Sequence, residues 1–536
     1  MTPGDHDRRL TLPAIGRRQF LTGAAAAAAL VAVGCSSDDG GSPATSTTSV
    51  PVTAPDPVHA PHLSADPFTL GVASGDPTTD SVILWTRLAP DPLAEDASSG
   101  MPDEDADVVW ELAVDDRFST LLAAGVFTTN PAHAHSAHVD VTGLEPGTSY
   151  AYRFRYGDWT SPVGQTQTLP DGSPERFAIA VVNCQMFESG RYGAYANLID
   201  EDVDLVMHLG DYIYEYPFGE GDRKPMPDRW LTELTDYRLR YSSYRTDVHL
   251  QAAHARFPFI LTWDDHEVAN NYMGDVLPGG NDPEKARARK QMAYQAWWEN
   301  LPVRLEPPEN GSLTIYQDLA VGDLARIHLL DERQYSDEPP CRDVTDALSD
   351  YGDCEAREGE DRSRLGADQE AWLASSLAKG GVTWNILGNP VVLAGVNGGT
   401  DEDAYYLDVW DGFPQARKRL IDQLAEVSNP VVLTGDYHAG MVLDVHDIPF
   451  DTTTDVVAPE FMAPPISSIL FPADVSARTP QLRQQLNEHG YLTVEITPER
   501  LTTAFRCVAD VQDADTAIET LATWQVDAGD PVARPI

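Results

Sequence analysis

Two textures of hydrophobic patterning divide the chain. Between residues 66 and 169, short runs alternate apolar with polar positions. SVILWTRL, VVWELAVD, AHSAHVDVTGL and SYAYRFRYG are rich in Val, Tyr and Trp and are separated by turn residues. A two-residue period of this kind predicts half-buried β-strands. After Pro170 the alternation stops. RFAIAVVNC, VDLVMHLGDYIY, FPFILTWDDHE, LARIHLLDERQY, VTWNILGNP and NPVVLTGDYHAG are apolar runs of strand length, each ending in a polar or ionisable cluster. Helical patterns lie between several of them, at Pro283–Asn300 and at residues 366–379. Apolar strands alternating with helices predict buried strands in a layered α/β domain. In such domains ligands gather just past the carboxyl ends of the strands.

The segment LEPGTSYAYRFR resembles the turn-then-tyrosine corner of fibronectin-type and immunoglobulin-like sandwiches. The expected fold class is an N-terminal fibronectin/immunoglobulin-like β-sandwich, residues 64–170, followed by a layered α/β domain, residues 171–510. Residues 511–536 read as a C-terminal extension. No charged or His cluster gathers in the sandwich, which suits a supporting or substrate-shaping role. Residues 1–35 form a targeting segment. Residues 36–63, rich in Ser, Thr, Pro and Gly, form a flexible linker.

The targeting segment carries Arg17-Arg18-Gln19-Phe20-Leu21, a twin-arginine pattern, before an Ala-rich apolar run to Val33. That run is too short and weakly flanked for a stable membrane span. It implies the twin-arginine export machinery, which carries proteins already folded. The run ends at Ala32-Val33-Gly34-Cys35, similar to a lipoprotein cleavage site. Cys35 is then either the lipidated first residue of a cell-surface protein or incidental to plain signal cleavage of a secreted one. Both place the protein outside the cytoplasm.

Composition narrows the partners. The 536 residues suit two or three domains, and a hydrophobic fraction of 42% suffices for globular cores. Against 84 Asp and Glu stand 37 Lys and Arg, a net charge of −47. Such a surface repels nucleic acid and anionic lipid. It repels anionic substrates too, unless local cations reverse the sign at the site. Membrane contact is left to a lipid at Cys35. Of the five cysteines, Cys341 and Cys354 lie in a polar loop and can pair. Cys507 follows an alternating run and reads as a buried strand residue.

The chemistry sits in five strand-end clusters: Asn183-Cys184-Gln185, Gly210-Asp211-Tyr212-Ile213-Tyr214, Asp264-Asp265-His266-Glu267, Gly388-Asn389-Pro390 and Gly435-Asp436-Tyr437-His438. Cleavage of a phosphate ester needs cations that clamp the phosphoryl oxygens and activate water. It also needs a carboxylate to bridge them and a His to protonate the leaving group. Taken singly, Cys184 reads as a core thiol and Tyr214 as a packed aromatic. Their places at successive strand ends argue for ligands. Tyr212, Tyr216, Trp297 and Trp298 read as packing, His208 and His328 as core histidines, and Asp264 as a turn cap. Asn270 and Asn271 could orient His266 or touch phosphate. Arg245 could steer phosphate or be structural.

The order of these clusters resembles that of the calcineurin-like metallophosphoesterase superfamily. NCQ stands where D-x-H is expected, DDHE for GNHE, and GDYH for GHxH. The Tyr three residues past the Asp in GDYIY is similar to purple acid phosphatases. The combination, with a twin-arginine signal and an N-terminal sandwich, resembles the PhoD family of alkaline phosphatases over residues 64–510. That resemblance implies ferric iron (Fe3+) held by Cys184, Asp211, Tyr214 and His438. It implies calcium (Ca2+) held by Asp265, Asn389 and Asp436, with Asp211 bridging. Phenolate and thiolate favour iron, and hard oxygen donors favour calcium. Asn385 competes with Asn389 for its place. His266 is implied as general acid, acting with Asp265 and Asp211. His489-Gly490-Tyr491 matches a strand start in the family, where His489 either helps the site or closes it. The implied activity is that of an alkaline phosphatase or phosphodiesterase, splitting monoesters, diesters or both by metal-activated hydroxide attack. A phospholipase D-like diesterase is the alternative on the same fold. A non-catalytic surface lipoprotein is disfavoured because Asp211, Asp265, Asp436 and His438 are all present.

Overall fold

The structure is a computed structural model. It describes residues 52–536 except 220, 222, 279, 281, 309–310, 342–350, 353–354, 398–404 and 472. The twin-arginine segment, Cys35, most of the linker and Cys354 lie outside the described residues. Cys341 is disulfide-bonded, and Cys507 is buried in a strand.

The N-terminal part is built of strands alone apart from one 3-10 turn: β1 (Val72–Gly75), β2 (Ser81–Arg87), β3 (Ala106–Ala113), β4 (Leu121–Thr129), β5 (Ser136–Thr142), β6 (Ser149–Tyr156), β7 (Trp159–Thr160) and β8 (Gly164–Gln167). Strands β3, β4, β6, β7 and β8 form one sheet. Its apolar face packs on β1, β2 and β5 through Val82, Leu84, Val108, Leu112, Val139 and Phe154. The Tyr150 hydroxyl accepts a hydrogen bond from the Glu145 backbone N–H, 2.9 Å away, which pins the turn before β6.

The larger part runs β9 (Phe177–Val182), α1 (Gly193–Leu198), β10 (Leu205–Leu209), α2 (Leu234–Arg245), α3 (Val248–Arg256), β11 (Pro258–Thr262), α4 (Pro283–Asn300), β12 (Gln317–Val321), β13 (Ala325–Leu329), β14 (Tyr351–Gly352), α5 (Gly366–Leu377), β15 (Trp384–Asn389), β16 (Tyr405–Tyr406) and α6 (Pro414–Leu424). It continues with β17 (Pro430–Thr434), β18 (Gly440–His446), β19 (Val456–Met462), β20 (Leu482–Leu486), β21 (Gly490–Ile496), β22 (Arg500–Val508), β23 (Ile518–Asp527) and β24 (Arg534–Pro535). Two sheets organise it. One has ten strands in the order β24-β23-β22-β21-β9-β10-β11-β1-β2-β5, the other seven in the order β12-β13-β15-β17-β19-β18-β20. Strands β9, β10 and β11 run parallel, as do β13, β15, β17 and β19. Strands β9, β11 and β17 are buried along their whole length and carry at most one polar residue each.

The sheets pack face to face through Ile179, Val181, Met207, Ile260, Ile327, Ile386, Leu433 and Leu492, among others. Helices α1 to α4 cover the outer face of the ten-stranded sheet, and α5 and α6 cover the other. Helix α4 occupies the residues its periodicity predicts. It starts where Asp282 accepts a hydrogen bond from the Lys285 N–H, with Pro283 in the first turn.

Two features differ from the sequence reading. The N-terminal part shares a sheet with the larger part, because β1 pairs in parallel with β11 at Ser74↔Pro258 and Gly75↔Phe259. Residues 511–536, expected as an extension, supply β23 and β24 to that same sheet. Buried side chains reinforce the junction. The Arg87 guanidinium donates to Ala134 O at 3.0 Å, Ser242 Oγ at 3.1 Å, Asn300 Oδ1 at 2.9 Å and Ser99 Oγ at 2.7 Å. Trp85 Nε1 donates to the Glu299 carbonyl, 3.1 Å away. The Arg245 guanidinium lies 4.4 Å over the Trp85 ring.

Arg87→Met removes a buried cation and strands its acceptors, which costs roughly 3 kcal/mol. Calorimetry should show one transition displaced to lower temperature. Two separated transitions would mean that the N-terminal part melts independently.

Candidate metal centre

The parallel strands of both sheets end at the same place, and each of those ends except that of β19 delivers a polar or ionisable side chain to the site. Cys184 stands two residues past β9, Asp211 two past β10, and Asp264 and Asp265 two and three past β11. From the facing sheet come Arg333, four residues past β13, then Asn389 at the end of β15, and Asp436 and His438 just past β17. The turns are sharp. Cys184, Asp211, Asp436 and His438 have φ of 50°, 57°, 63° and 54°, in the left-handed region that non-glycine residues seldom enter. Such strain clusters at functional sites. Here it folds each side chain back over the strand ends. Gly210, at φ +98°, precedes Asp211 so closely against the neighbouring loop that a Cβ there would lie 2.5 Å from that of Asp264.

Three groups of donor atoms result, each gathered within 4.8 Å: Cys184, Asp211 and His438; Asp211, Asp265 and His266; Asp264, Asp265 and Asp436. Asp211 belongs to two of them, and so does Asp265. Tyr214 joins the first. Its hydroxyl donates to Asp211 Oδ2 at 2.8 Å, lies 3.0 Å from His438 Nε2 and accepts from Ser468 Oγ at 2.7 Å. His438 Nδ1 faces the Ile469 carbonyl at 2.7 Å, which leaves Nε2 toward the group.

These residues fit cations. Asp265 Oδ1 and Asp436 Oδ2 are buried and accept no hydrogen bond, a state that costs about 1–3 kcal/mol per group unless something positive satisfies it. Burial, then Asp211 and Asp436, push the Cys184 thiol well above its ordinary range. Burial and Asp211 do the same to the Tyr214 phenol. Burial and Asp264 hold the Asp436 carboxyl well above 3.8. A cation among them reverses each of these shifts.

Glu215, Glu267 and Arg333 hold the donors in place, and of these only Glu267 lies in a cluster that the sequence singles out. Glu215 is fully buried. Its carboxylate takes His266 Nδ1 at 2.7 Å and the Asn270 backbone N–H at 2.7 Å. Burial works against a charge on His266, yet Asp265, Asp211 and Glu215 hold its pKa well above 6.5. Glu267 accepts from the backbone N–H of Asp211 at 3.2 Å, Tyr212 at 2.6 Å and Asp264 at 3.0 Å, which ties two strand ends together. Arg333 donates to both oxygens of Asp264, at 2.5 and 3.1 Å, and to Asp408 at 2.7 Å. It lies 4.0 Å from Asp265 and 3.9 Å from Asp436. Asp264 is therefore no turn cap. Burial pushes its carboxyl up despite Arg333. Arg333 lies in the strand-end run LARIHLLDERQY and Glu215 directly follows VDLVMHLGDYIY, a position that is the one signal that could have found them.

Other sequence candidates separate cleanly. Asn389 is buried, with its amide on Trp410 Nε1 at 3.3 Å and on the Val391 carbonyl. Asn385 sits further back along β15, on Ser428 and His328. The backbones of Asn270 and Asn271 bind Glu215 and Asp265. Arg245 is structural, between Trp85, Leu70 and Tyr212. His208 and His328 are core residues that burial pushes down to about 3 and about 4. His489 Nε2 meets the Ser468 carbonyl at 2.9 Å, behind Tyr214. Trp297 packs edge-on to Trp263, and Trp298 stacks on His138.

Comparison with known proteins agrees with this arrangement. Residues 179–505 match the model of the PhoD-like phosphatase family, and residues 53–170 match that of the PhoD-like phosphatase N-terminal domain. Alkaline phosphatase D of Bacillus subtilis (strain 168) is 39% identical over 485 residues, 87% of this chain and 82% of that protein. A solved structure described as that of PhoD superposes with a TM-score of 0.84 at 37% identity, covering 89% of this chain and 93% of that one. Fold, site and relatives together define the class, a phosphoesterase. Within that class, the chain belongs to the PhoD-like phosphatase family and is an enzyme of its phosphatase/phosphodiesterase type.

The raised Asp436 carboxyl makes the metal-stripped protein sensitive to pH. Above its ordinary value of 3.8 the unfolded chain loses a proton that the folded chain keeps, so stability falls as pH rises. The melting temperature of chelator-treated protein should fall as pH rises above that ordinary value. Asp436→Asn should shrink that drop, and an unchanged drop in the variant would clear Asp436 of it.

Proposed function

We propose that the protein is an exported, metal-dependent phosphoesterase whose site holds ferric iron beside calcium. The observation that carries this reading is the sharing of Asp211 and Asp265 among three adjoining donor groups. Shared carboxylates reduce the repulsion between neighbouring cations, and an isolated metal needs none. Cys184, Tyr214, His438 and Asp211 are the iron ligands, because thiolate and phenolate donate strongly. Asp265, Asn389 and Asp436, with Asp211, are the calcium ligands, because hard oxygens suit that ion. Bound there, the cations polarise the phosphoryl group and lower the pKa of water.

The rest falls to the chain's own side chains. Glu215 holds His266 Nδ1 and so leaves Nε2 to donate a proton to the leaving oxygen. Arg333 neutralises Asp264 and Asp408 and stands close to Asp265 and Asp436 without a direct hydrogen bond to either. Glu267 fixes the turn that presents Asp211. Arg17-Arg18 supports export of the folded protein, and Cys35 supports a lipid anchor outside the membrane. Small phosphate esters are the substrates that this acidic surface favours over nucleic acid.

Elemental analysis of protein exported through its native pathway tests the metals. Iron with calcium is expected, and zinc without iron would sink the assignment. Cys184→Ala should lose both the colour of ferric thiolate and the activity, and full activity would remove Cys184 from the site. Glu215→Gln should lower kcat on 4-nitrophenyl phosphate by about 10- to 100-fold with KM little changed. A wild-type kcat in that variant would leave His266 without a role for its partner.

A further inference from the structure

Large apolar side chains exposed singly on a surface need no explanation. Two of those in this protein are different, because ring contacts join them to the candidate site from opposite ends. Trp230 is 58% exposed, and its ring lies 5.0 Å from that of Tyr216. Tyr216 meets His266 edge-on at 5.5 Å, and His266 lies 4.1 Å from Tyr214. Tyr214 is 6.4 Å from His438. His438 stacks face to face on Phe471, 5.0 Å away and within 8° of parallel, and Phe471 is 51% exposed. The path from Trp230 to Phe471 therefore joins two exposed rings, with the proton donor and an iron ligand between them, and Phe471 also meets Tyr437 edge-on at 6.3 Å. Phe218 and Ile469, also exposed, lie two residues from Tyr216 and from Phe471 along the chain.

We propose that Trp230 and Phe471 are aromatic walls that grip the two organic arms of a phosphodiester with flat, apolar substituents. The proposal rests on the phosphoesterase reading and adds specificity to it. A phosphate monoester has one organic arm, so one of two walls would stand idle. A diester has two and carries a single negative charge, which suits a chain of net charge −47. Trp230, on the His266 side, flanks the leaving arm, and Phe471, on the His438 side, flanks the arm that stays. Water adds to phosphorus, the P–O bond to the leaving arm breaks, and one proton of the water ends on the released alcohol. The other stays on the monoester product.

The test uses the metal-loaded enzyme and two esters with the same leaving group, bis(4-nitrophenyl) phosphate and methyl 4-nitrophenyl phosphate. Phe471→Ala should lower kcat/KM for the diaryl ester about three- to tenfold more than for the methyl ester, the range that an aromatic contact supplies. Phe471→Tyr, which keeps the ring, should retain the wild-type ratio. Trp230→Ala should lower both substrates alike, chiefly through KM. If Phe471 only orients His438, Phe471→Ala lowers both substrates equally, and the proposal falls. It falls equally if neither rate changes, or if Phe471→Tyr loses the ratio. A wild-type enzyme inert toward both diesters and 4-nitrophenyl phosphate would instead overturn the phosphoesterase reading itself.

Discussion

Negative charge crowded into a buried space governs this structure. Asp211, Asp264 and Asp265 and their neighbours Glu215, Glu267, Glu332 and Asp408 are all but inaccessible to water. Buried carboxylates are tolerable only when hydrogen-bonded or paired. Most are. Arg333 answers Asp264 and Asp408, backbone N–H groups answer Glu267, and His266 answers Glu215. Glu332 takes Trp410 Nε1 and the Val391 N–H. What remains unanswered, on Asp265 and Asp436, marks where positive charge from outside the chain belongs.

The fold serves that concentration. Two sheets packed face to face bring parallel strand ends from both sides to one spot, which a single sheet could not do. The left-handed residues at those ends turn the side chains inward. Holding them there requires rigid strands, and the ten-stranded sheet is stiffened by elements far along the chain. The N-terminal part contributes β1, β2 and β5, and the last residues contribute β23 and β24.

Much of this was legible in the sequence. The buried parallel strands read as unbroken apolar runs, and the polar clusters that close them held Cys184, Asp211, Asp265, Asp436 and His438, which the structure brings together. The limits were physical as well. The parallel pairing of β1 with β11 leaves no local pattern, because a non-local pairing is written in neither strand alone. Helix α2 buries Arg240, Arg245 and several tyrosines, so it lacks the apolar stripe that marks a helix. The sequence assigned Arg333 and Glu215 no role, since burial of a charge depends on partners distant in sequence. Asp264 looked like a turn residue for the same reason.

The register of the first sheet carries a consequence for how the protein is made. Strand β9, which leads into Cys184, is flanked on one side by β21, with Ile179 opposite Val494, about three hundred residues later in the chain. Until that late strand is synthesised, β9 presents an apolar edge with no neighbour on that side. Pairings this remote make folding slow, and the unpaired edge invites aggregation while it lasts. The nascent chain therefore cannot complete its candidate metal centre piecemeal from the N-terminus. Its assembly waits for nearly the whole polypeptide, and the interval before closure is the period when the chain most needs chaperoning.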